Sequence, residues 1–346
     1  MSVAERRAQP TILDVAELAG VSKSTVSNVI RGTTGISTGT RRRVLDAIEL
    51  VGYRPNAIAR NLVQRRTTTV GIVVGDLANP FYSELAKLVE QRLSAAGYTS
   101  MICNTDGRSE SERARVESLL EHRVAGIIML QLSGESGILP ELRAQGIPLV
   151  VVSCWVERSD CVAVDDSRGA GLAVRHLMQL GHRRIAYLSS GLVEQQADDA
   201  RFEGYRRALG AGGEPAVLRW EHPAYLRTDR DLSAELERLL GSEHPPTAFF
   251  VSNDLVAIDL IEALEQLGRR VPDDVSVVGF DDIALAGLAR VSLTTVAQPR
   301  ERLAQLALEI LLERIATAER EPFRRVRLAP RLIVRGSTAP VSSAAR

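Results

Sequence analysis

The sequence predicts an α/β protein: an N-terminal all-α helix-turn-helix headpiece followed by two doubly wound parallel-sheet lobes. Three observations carry this reading. Residues 11–62 show only helical apolar spacing. From Val70 onward, short buried-strand runs alternate with amphipathic helices, in two successive series. Charge is also divided along the chain. Residues 1–66 hold 11 Arg and Lys against 5 acids, a net +6, so the rest carries −6 although the 346-residue chain is formally neutral. A basic head on an acidic body is the pattern of a nucleic-acid arm on a body that does not itself bind nucleic acid.

Within the head, Thr11 and Asp14 fit a capping-box start for a first helix, with Val15, Leu18 and Ala19 as its apolar side. Gly20 suits a sharp left-handed turn. Ser22 is placed to cap a second helix in which Val26 and Val29 face inward and Lys23, Ser24, Ser27 and Asn28 face out. Short polar and amide side chains beside a helix N-terminus suit base edges and phosphates in a major groove. Ser37 then caps a third helix that packs through Val44, Ala47 and Ile48, stops at Gly52, and exposes Arg41–Arg43. Pro55 suits the first position of a short helix reaching about Leu62. Only about two turns long, it is marginal alone in water and expected to fold on DNA.

The first series reads as strand Val70–Val74, helix Pro80–Ala96, strand Thr99–Cys103, helix Ser109–His122, strand Val124–Leu130, helix Ile138–Gln145 and strand Pro148–Ser153. The second reads as helix Ser167–Leu180, strand Ile185–Ser189, helices Ala197–Leu209 and Arg230–Leu240, strand Ala248–Val251, helix Leu255–Leu267 and strand Val275–Val278. Such order implies parallel sheets covered on both faces, with ligands at the carboxyl ends of the strands.

Three irregularly spaced cysteines, Cys103, Cys154 and Cys161, make neither a disulfide framework nor a metal site, and they suit a reducing cytosol. There is no apolar run resembling a signal peptide near the start, and none long enough to cross a membrane. A cytoplasmic protein without membrane, metal or cofactor is expected. Catalysis is not expected either, since Gly-x-Gly-x-x-Gly after a strand, a phosphate loop, Gly-x-Ser-x-Gly and His-Glu-x-x-His are all missing and the five histidines are scattered. His182, in a Gly-His-Arg-Arg turn, reads as a structural contact. A periplasmic sugar-binding protein would share the lobes but not the basic head.

Several motifs recur in order: Asp14-Val-Ala-Glu-Leu-Ala-Gly-Val-Ser22, Thr25-Val-Ser27, Gly52-Tyr-Arg-Pro-Asn56, Ala59-Arg-Asn-Leu62, Asn79-Pro-Phe81, Gly181-His-Arg-Arg-Ile185, Arg201-Phe-Glu-Gly204, Ser252-Asn-Asp254, Val277-Val-Gly-Phe-Asp-Asp282 and Leu293-Thr-Thr295. With these the chain closely resembles the lactose-repressor/galactose-repressor family of bacterial transcription regulators, from Thr11 to about Ser337. The resemblance implies a headpiece over 1–53, a hinge helix and linker over 54–67, an effector-binding and dimerisation core over 68–337, and a tail over 338–346. It also implies a core like the periplasmic sugar-binding proteins, crossed more than once by the chain. The first lobe takes about 68–165 and 298–327, the second about 166–297 and 328–337. Expected partners are double-stranded operator DNA, pseudo-palindromic because a homodimer reads it, and a small effector, with a sugar favoured.

By the same resemblance Lys23, Ser24 and Asn28 stand where the family reads bases, while Thr25, Ser27, Arg31 and Thr40 fix register on phosphates. Asn28 replaces an Arg or His of many relatives and can pair bidentately with adenine. Asn56, Ala59 and Leu62 belong to the hinge, and Leu62 stands at the leucine that wedges into the minor groove. For the effector the resemblance implies Phe81 stacking on a ring, Arg201 forking onto oxygens, and Asn253 and Asp281 meeting hydroxyls. Asp76, Trp155, Glu194, Trp220 and Tyr225 are secondary candidates, and Asp282 reads as a structural cap. Ser153-Cys154 stands where many sugar-binding relatives carry Asp, a departure from the familiar sugar sites.

Overall fold

The computed structural model describes residues 10–30, 32–53, 67–132, 137–189, 196–210, 214–219, 232–317, 319 and 321–341. The chain divides into two compact units, Met1–Thr67 and Thr68–Arg346.

The first unit holds α1 (Ile12–Ala19), α2 (Lys23–Ile30) and α3 (Thr38–Val51). The backbone amide and hydroxyl of Thr11 both donate to Asp14 Oδ2, at 2.7 and 2.9 Å, fixing the start of α1. Gly20 closes α1 at φ 64°, a left-handed conformation that costs a residue with a Cβ roughly 1–2 kcal/mol. The Ser22 hydroxyl accepts from the Thr25 amide, and that of Ser37 from the Thr40 amide, so each later helix is capped by a serine. Val15, Ala16, Ala19, Val26, Val29, Val44 and Ala47 make the small core. Leu18, expected on the apolar side of α1, is 53% exposed instead. The buried stripe runs Ile12–Val15–Ala16–Ala19, the i, i+3, i+4, i+7 ridge, which turns Leu18 away.

The second unit contains two six-stranded sheets. In chain order the elements are β1 (Thr69–Val74), α4 (Pro80–Ala95), β2 (Thr99–Asn104), α5 (Ser109–Glu121), β3 (Gly126–Met129), α6 (Ile138–Ala144), β4 (Leu149–Val152) and β5 (Asp160–Val164). Then come α7 (Asp166–Gln179), β6 (Arg184–Ser189), α8 (Gln196–Leu209), β7 (Glu214–Arg219), α9 (Leu232–Leu240), β8 (Ala248–Val251), α10 (Asp254–Gln266), β9 (Ser276–Asp281) and β10 (Thr294–Ala297). The chain finishes with α11 (Arg300–Thr317), β11 (Arg325–Leu328) and β12 (Arg331–Ile333).

The first sheet has the order β11-β5-β4-β3-β1-β2, the second β12-β10-β9-β8-β6-β7. Every pairing is parallel except β10 with β12. The chain therefore passes from first sheet to second after β5, returns after β10, and passes again after β11. Parallel strands covered on both faces must be apolar throughout, and β3, β4, β8 and β9 are buried at every residue. One apolar cluster runs through both lobes, from Ile72 and Leu85 to Leu188 and Val277. α11 belongs to the first lobe, packing Leu303, Ala304, Ala307 and Leu311 into that cluster beside α4. At its far end Arg314 makes a two-pronged ion pair with Asp160 at the start of β5, 2.8 and 3.0 Å.

Strands β5, β7, β10, β11 and β12 have no counterpart in the sequence reading. β7 contains Pro215 and sits at a sheet edge, where a missing amide is tolerated. β11, Arg-Val-Arg-Leu, is the opposite edge of the first sheet and alternates exposed and half-buried residues. His182 is structural: Nδ1 meets the Thr247 hydroxyl at 2.8 Å, and Nε2 meets the Ala339 carbonyl at 3.0 Å, binding the C-terminal segment to the second lobe.

Candidate functional site

On the headpiece, α2 leaves Lys23 and Ser24 exposed, with Thr25, Ser27 and Asn28 half-exposed beside the buried Val26 and Val29. Ser22, Ser24 and Thr25 join their hydroxyls at the N-terminus of this helix, at 2.7 and 2.9 Å from Ser22. Thr40 is half-exposed and bonded by Ser37, while Arg41 turns back to donate to the Thr33 carbonyl, leaving Arg42 and Arg43 exposed. A short polar helix face with partial positive charge at its N-terminus and cations alongside can meet phosphates and base edges. Arg31, Asn56, Ala59 and Leu62 lie outside the described residues.

In the core, both lobes reverse strand order beside their second-innermost strands, between β1 and β3 and between β6 and β8. These switch points open a crevice at the carboxyl ends of the strands. In the first lobe, Gly75 follows β1, and the Gln131 side chain packs against it so closely that a Cβ there would stand 2.0 Å from Oε1 and make that side chain shift. Asp76 follows it, buried; one carboxylate oxygen accepts from the Ala78 amide at 2.7 Å and the other has no partner among the described residues. Ser153, at φ 65° after β4, has an equally unpartnered hydroxyl.

In the second lobe a buried charged cluster forms around Arg201 on α8. Its Nε donates to Asp166 Oδ1 at 2.8 Å, its Nη1 to the Ser252 carbonyl after β8 at 2.5 Å, and its Nη2 lies 3.8 Å from Asp281 Oδ1. The guanidinium lies over the Phe280 ring. α8 can carry Arg201 this close because Gly204, a turn later, faces α7; a Cβ there would be 2.3 Å from the Ser167 carbonyl. Asp281 ends β9 at φ 117° and accepts from Gln298 at 2.7 Å. Burial pushes the Asp281 carboxyl up to about 6, with Arg201 and Gln298 pulling the other way. Burial also raises Asp166, again opposed by Arg201. Burial alone would lower the Arg201 guanidinium, but Asp166 and Asp281 carry it above its ordinary value, so it stays charged. The cluster thus offers a fixed cation, two acceptors and an amide to a polar molecule.

Of the residues expected at the effector site, Arg201 and Asp281 are brought together. Asn253 caps α10 by accepting from the Val256 amide at 2.9 Å, which leaves its side-chain nitrogen for a ligand. Phe81 departs from expectation: it is only 2% exposed, within the core cluster, edge-on to Tyr82 at 5.1 Å. The next residue on α4, Tyr82, is instead the aromatic within electrostatic reach of Arg201, Asp281 and Asp166, and burial raises its hydroxyl. Trp155 is not part of this cluster; it lies against Arg327 and Arg325 on β11, at 4.2 and 5.6 Å. Glu194, Trp220 and Tyr225 lie outside the described residues. Asp282 accepts from Arg335 at 2.6 Å, a structural ion pair rather than a cap.

Asp166, Gln298 and Tyr82 complete the cluster without having been singled out from sequence. Asp254 supports it from beneath, taking the Ile283 amide at 2.9 Å and the Thr295 hydroxyl at 2.5 Å, which holds the turn after Asp281. Among the described residues no three His, Cys, Asp or Glu side chains gather as a metal site, and no helix is long and apolar enough to cross a membrane.

A helix-turn-helix head and a two-lobed core with a charged cluster at its strand ends define a ligand-binding regulator of DNA. Comparison with known proteins agrees. The bacterial regulatory proteins of the lacI family match residues 11–56, and the periplasmic binding protein-like domain matches residues 174–338. The HTH-type transcriptional repressor PurR of Vibrio parahaemolyticus is 38% identical over 331 residues, 94% of this chain and 98% of the relative. Among solved structures, the lac repressor dimer bound to operator and an anti-inducer superposes with TM-score 0.83 at 26% identity, covering 96% of this chain and 100% of that one. The transcriptional regulator CelR in complex with cellobiose gives TM-score 0.68 at 34% identity, covering 95% and 99%. The chain belongs to the lacI family: it is a DNA-binding transcriptional repressor with a ligand-binding domain, and not an enzyme.

Proposed function

We propose that this repressor binds a pseudo-palindromic operator as a homodimer, and that a small polar effector, sugar-like, controls it from the cleft beside Arg201. The observation that carries the effector reading is the buried Arg201, held by Asp166 and Asp281 over Phe280 at the second-lobe switch point. A cation buried with two carboxylates is costly to keep for stability alone. Such a group at the carboxyl ends of the strands suits a hydroxylated ligand that exchanges hydrogen bonds with it.

Bases are read by Lys23, Ser24 and Asn28, phosphates are held by Thr25, Ser27, Arg31 and Thr40, and the hinge residues Asn56, Ala59 and Leu62 engage the minor groove. A second copy of the chain would cover apolar side chains exposed on the core, among them Leu77 and Ile102 in the first lobe and Leu285 and Leu288 in the second. The cellobiose complex of a similar regulator supports a sugar. Control follows from linkage: the effector moves the operator equilibrium by as much as its affinity differs between the two lobe arrangements.

The test is selection of bound sequences from random DNA, with and without a panel of sugars and purines, joined to sedimentation analysis of the free protein. Two related half-sites, a dimer, and a shift in operator affinity with a sugar are expected. Indifference of operator binding to every sugar, with a response to a purine, would replace the sugar; indifference to all would remove cleft control.

A further inference from the structure

A second feature of the core lies beside this cluster. A recess of about 700 Å³ opens where α4, the first turn of α11, the end of β10 and the start of β12 meet. That volume is in the range of small-molecule sites. Gln298 belongs to both places: it lines the recess and donates to Asp281.

The charges around the recess do not balance. Its acids are already engaged: Glu84 by Arg300 at 2.6 Å, Glu301 by Arg92 at 2.5 Å, and Asp282 by Arg335 at 2.6 Å. Three cations on the same lining, Lys87, Arg302 and Arg331, are exposed and have no acidic partner among the described residues. They come from three separate elements, α4, α11 and β12, so their approach is a product of the fold and not of local sequence. The N-terminus of the 18-residue α11 borders the same space and adds the partial positive charge of its helix dipole, although the Arg300 and Arg302 amides are already donated to the Gln298 and Pro299 carbonyls. Because α4 and α11 belong to the first lobe and Arg331 to the second, an occupant held by all three would also sense the angle between the lobes.

We propose that this recess holds a phosphate group carried by the effector, so that the ligand is a small phosphorylated polyol whose hydroxyls reach Gln298 and Asp281. This rests on the reading that the cleft takes an effector. Lys87, Arg302 and Arg331 supply charge-assisted hydrogen bonds to the phosphate oxygens, and the two arginines can do so in pairs.

Equilibrium dialysis of the full-length protein with inorganic pyrophosphate at 0.15 M salt tests it directly. Comparison with the Arg302→Gln/Arg331→Gln variant cancels uptake by the basic headpiece, which both share. Saturable binding that weakens about tenfold or more in the double variant, but not in Arg290→Gln at an exposed position elsewhere, is the expected result. No saturable core binding, or binding equal in parent and double variant, overturns the proposal. In that event, operator release by a neutral sugar would still uphold the proposed function, whereas loss of every effector response would remove both.

Discussion

The Arg201 guanidinium lies 3.8 Å from the centroid of the Phe280 ring. Phe280 ends the apolar run of β9 immediately before Asp281, so one strand supplies both the floor under the cation and a carboxylate beside it. The arginine is therefore pinned in position before any ligand arrives, and the cost of orienting it is met during folding.

Arg201→Met leaves Asp166 buried without its counter-charge. Breaking a buried pair by removing one partner costs about 3–5 kcal/mol, so urea unfolding of the core should move by that order, and effector response should vanish. Arg201→Lys keeps the charge but loses the planar fork, and should retain more stability than Arg201→Met while still losing effector response. Equal stability of Arg201→Met and parent would contradict the arrangement.

Asp281 gives effector binding a pH dependence. Its carboxyl titrates at about 6 in the folded chain against an ordinary 3.8, because burial disfavours the charged form. A raised folded value means a contribution to stability that is complete below 3.8 and is lost as pH rises through 6. Effector affinity should show an inflection near pH 6 that Asp281→Asn abolishes, measured by fluorescence titration of the effector from pH 5 to 8.

His182 acts in the opposite sense. Burial, assisted by His176, lowers it from 6.5, so its proton binds more readily to the unfolded chain. Its contribution weakens as pH falls below 6.5, and the parent should lose stability on acidification through that range more steeply than His182→Leu does. The variant itself should be destabilised by roughly 1–3 kcal/mol at pH 7.5, since Thr247 and Ser276 lose a buried partner.

Asn28 should set one operator position. Asn28→Arg is expected to exchange an adenine preference for guanine at that position of each half-site, read by sequencing selected DNA. An unchanged profile would remove Asn28 from base contact.

The headpiece can be broken separately. Gly20→Val forces a β-branched residue to φ 64°, at a cost of roughly 1–2 kcal/mol or more. Operator affinity should fall in a gel shift while unfolding of the core and effector uptake stay at parental values.

Much of this architecture is written in local pattern. Capping residues, left-handed glycines and continuous apolar runs mark the three headpiece helices and the central strands, because each depends on neighbours within one turn or one strand. Two of the edge strands carry no such mark: β7 holds a proline and β11 alternates arginine with apolar residues, and both become strands only by pairing with a partner far along the chain. The effector cluster divides the same way. Arg201 and Asp281 stand in recognisable motifs, but Asp166 lies 35 residues from Arg201, and Gln298 lies 17 from Asp281. Phe81 and Tyr82 are adjacent aromatics, and the register of α4 against its sheet, which local spacing does not specify, decides which ring reaches the charges.

The three passages between the lobes are each only a residue or two long: Asp165, then Gln298 and Pro299, then Ala329 and Pro330. Because neither lobe is one continuous stretch of gene, no single truncation yields either as a separate fragment. A protease that nicks one passage should leave a particle still joined by the other two. The lobes can tilt about this triple tether, but they cannot be pulled apart without unravelling a sheet.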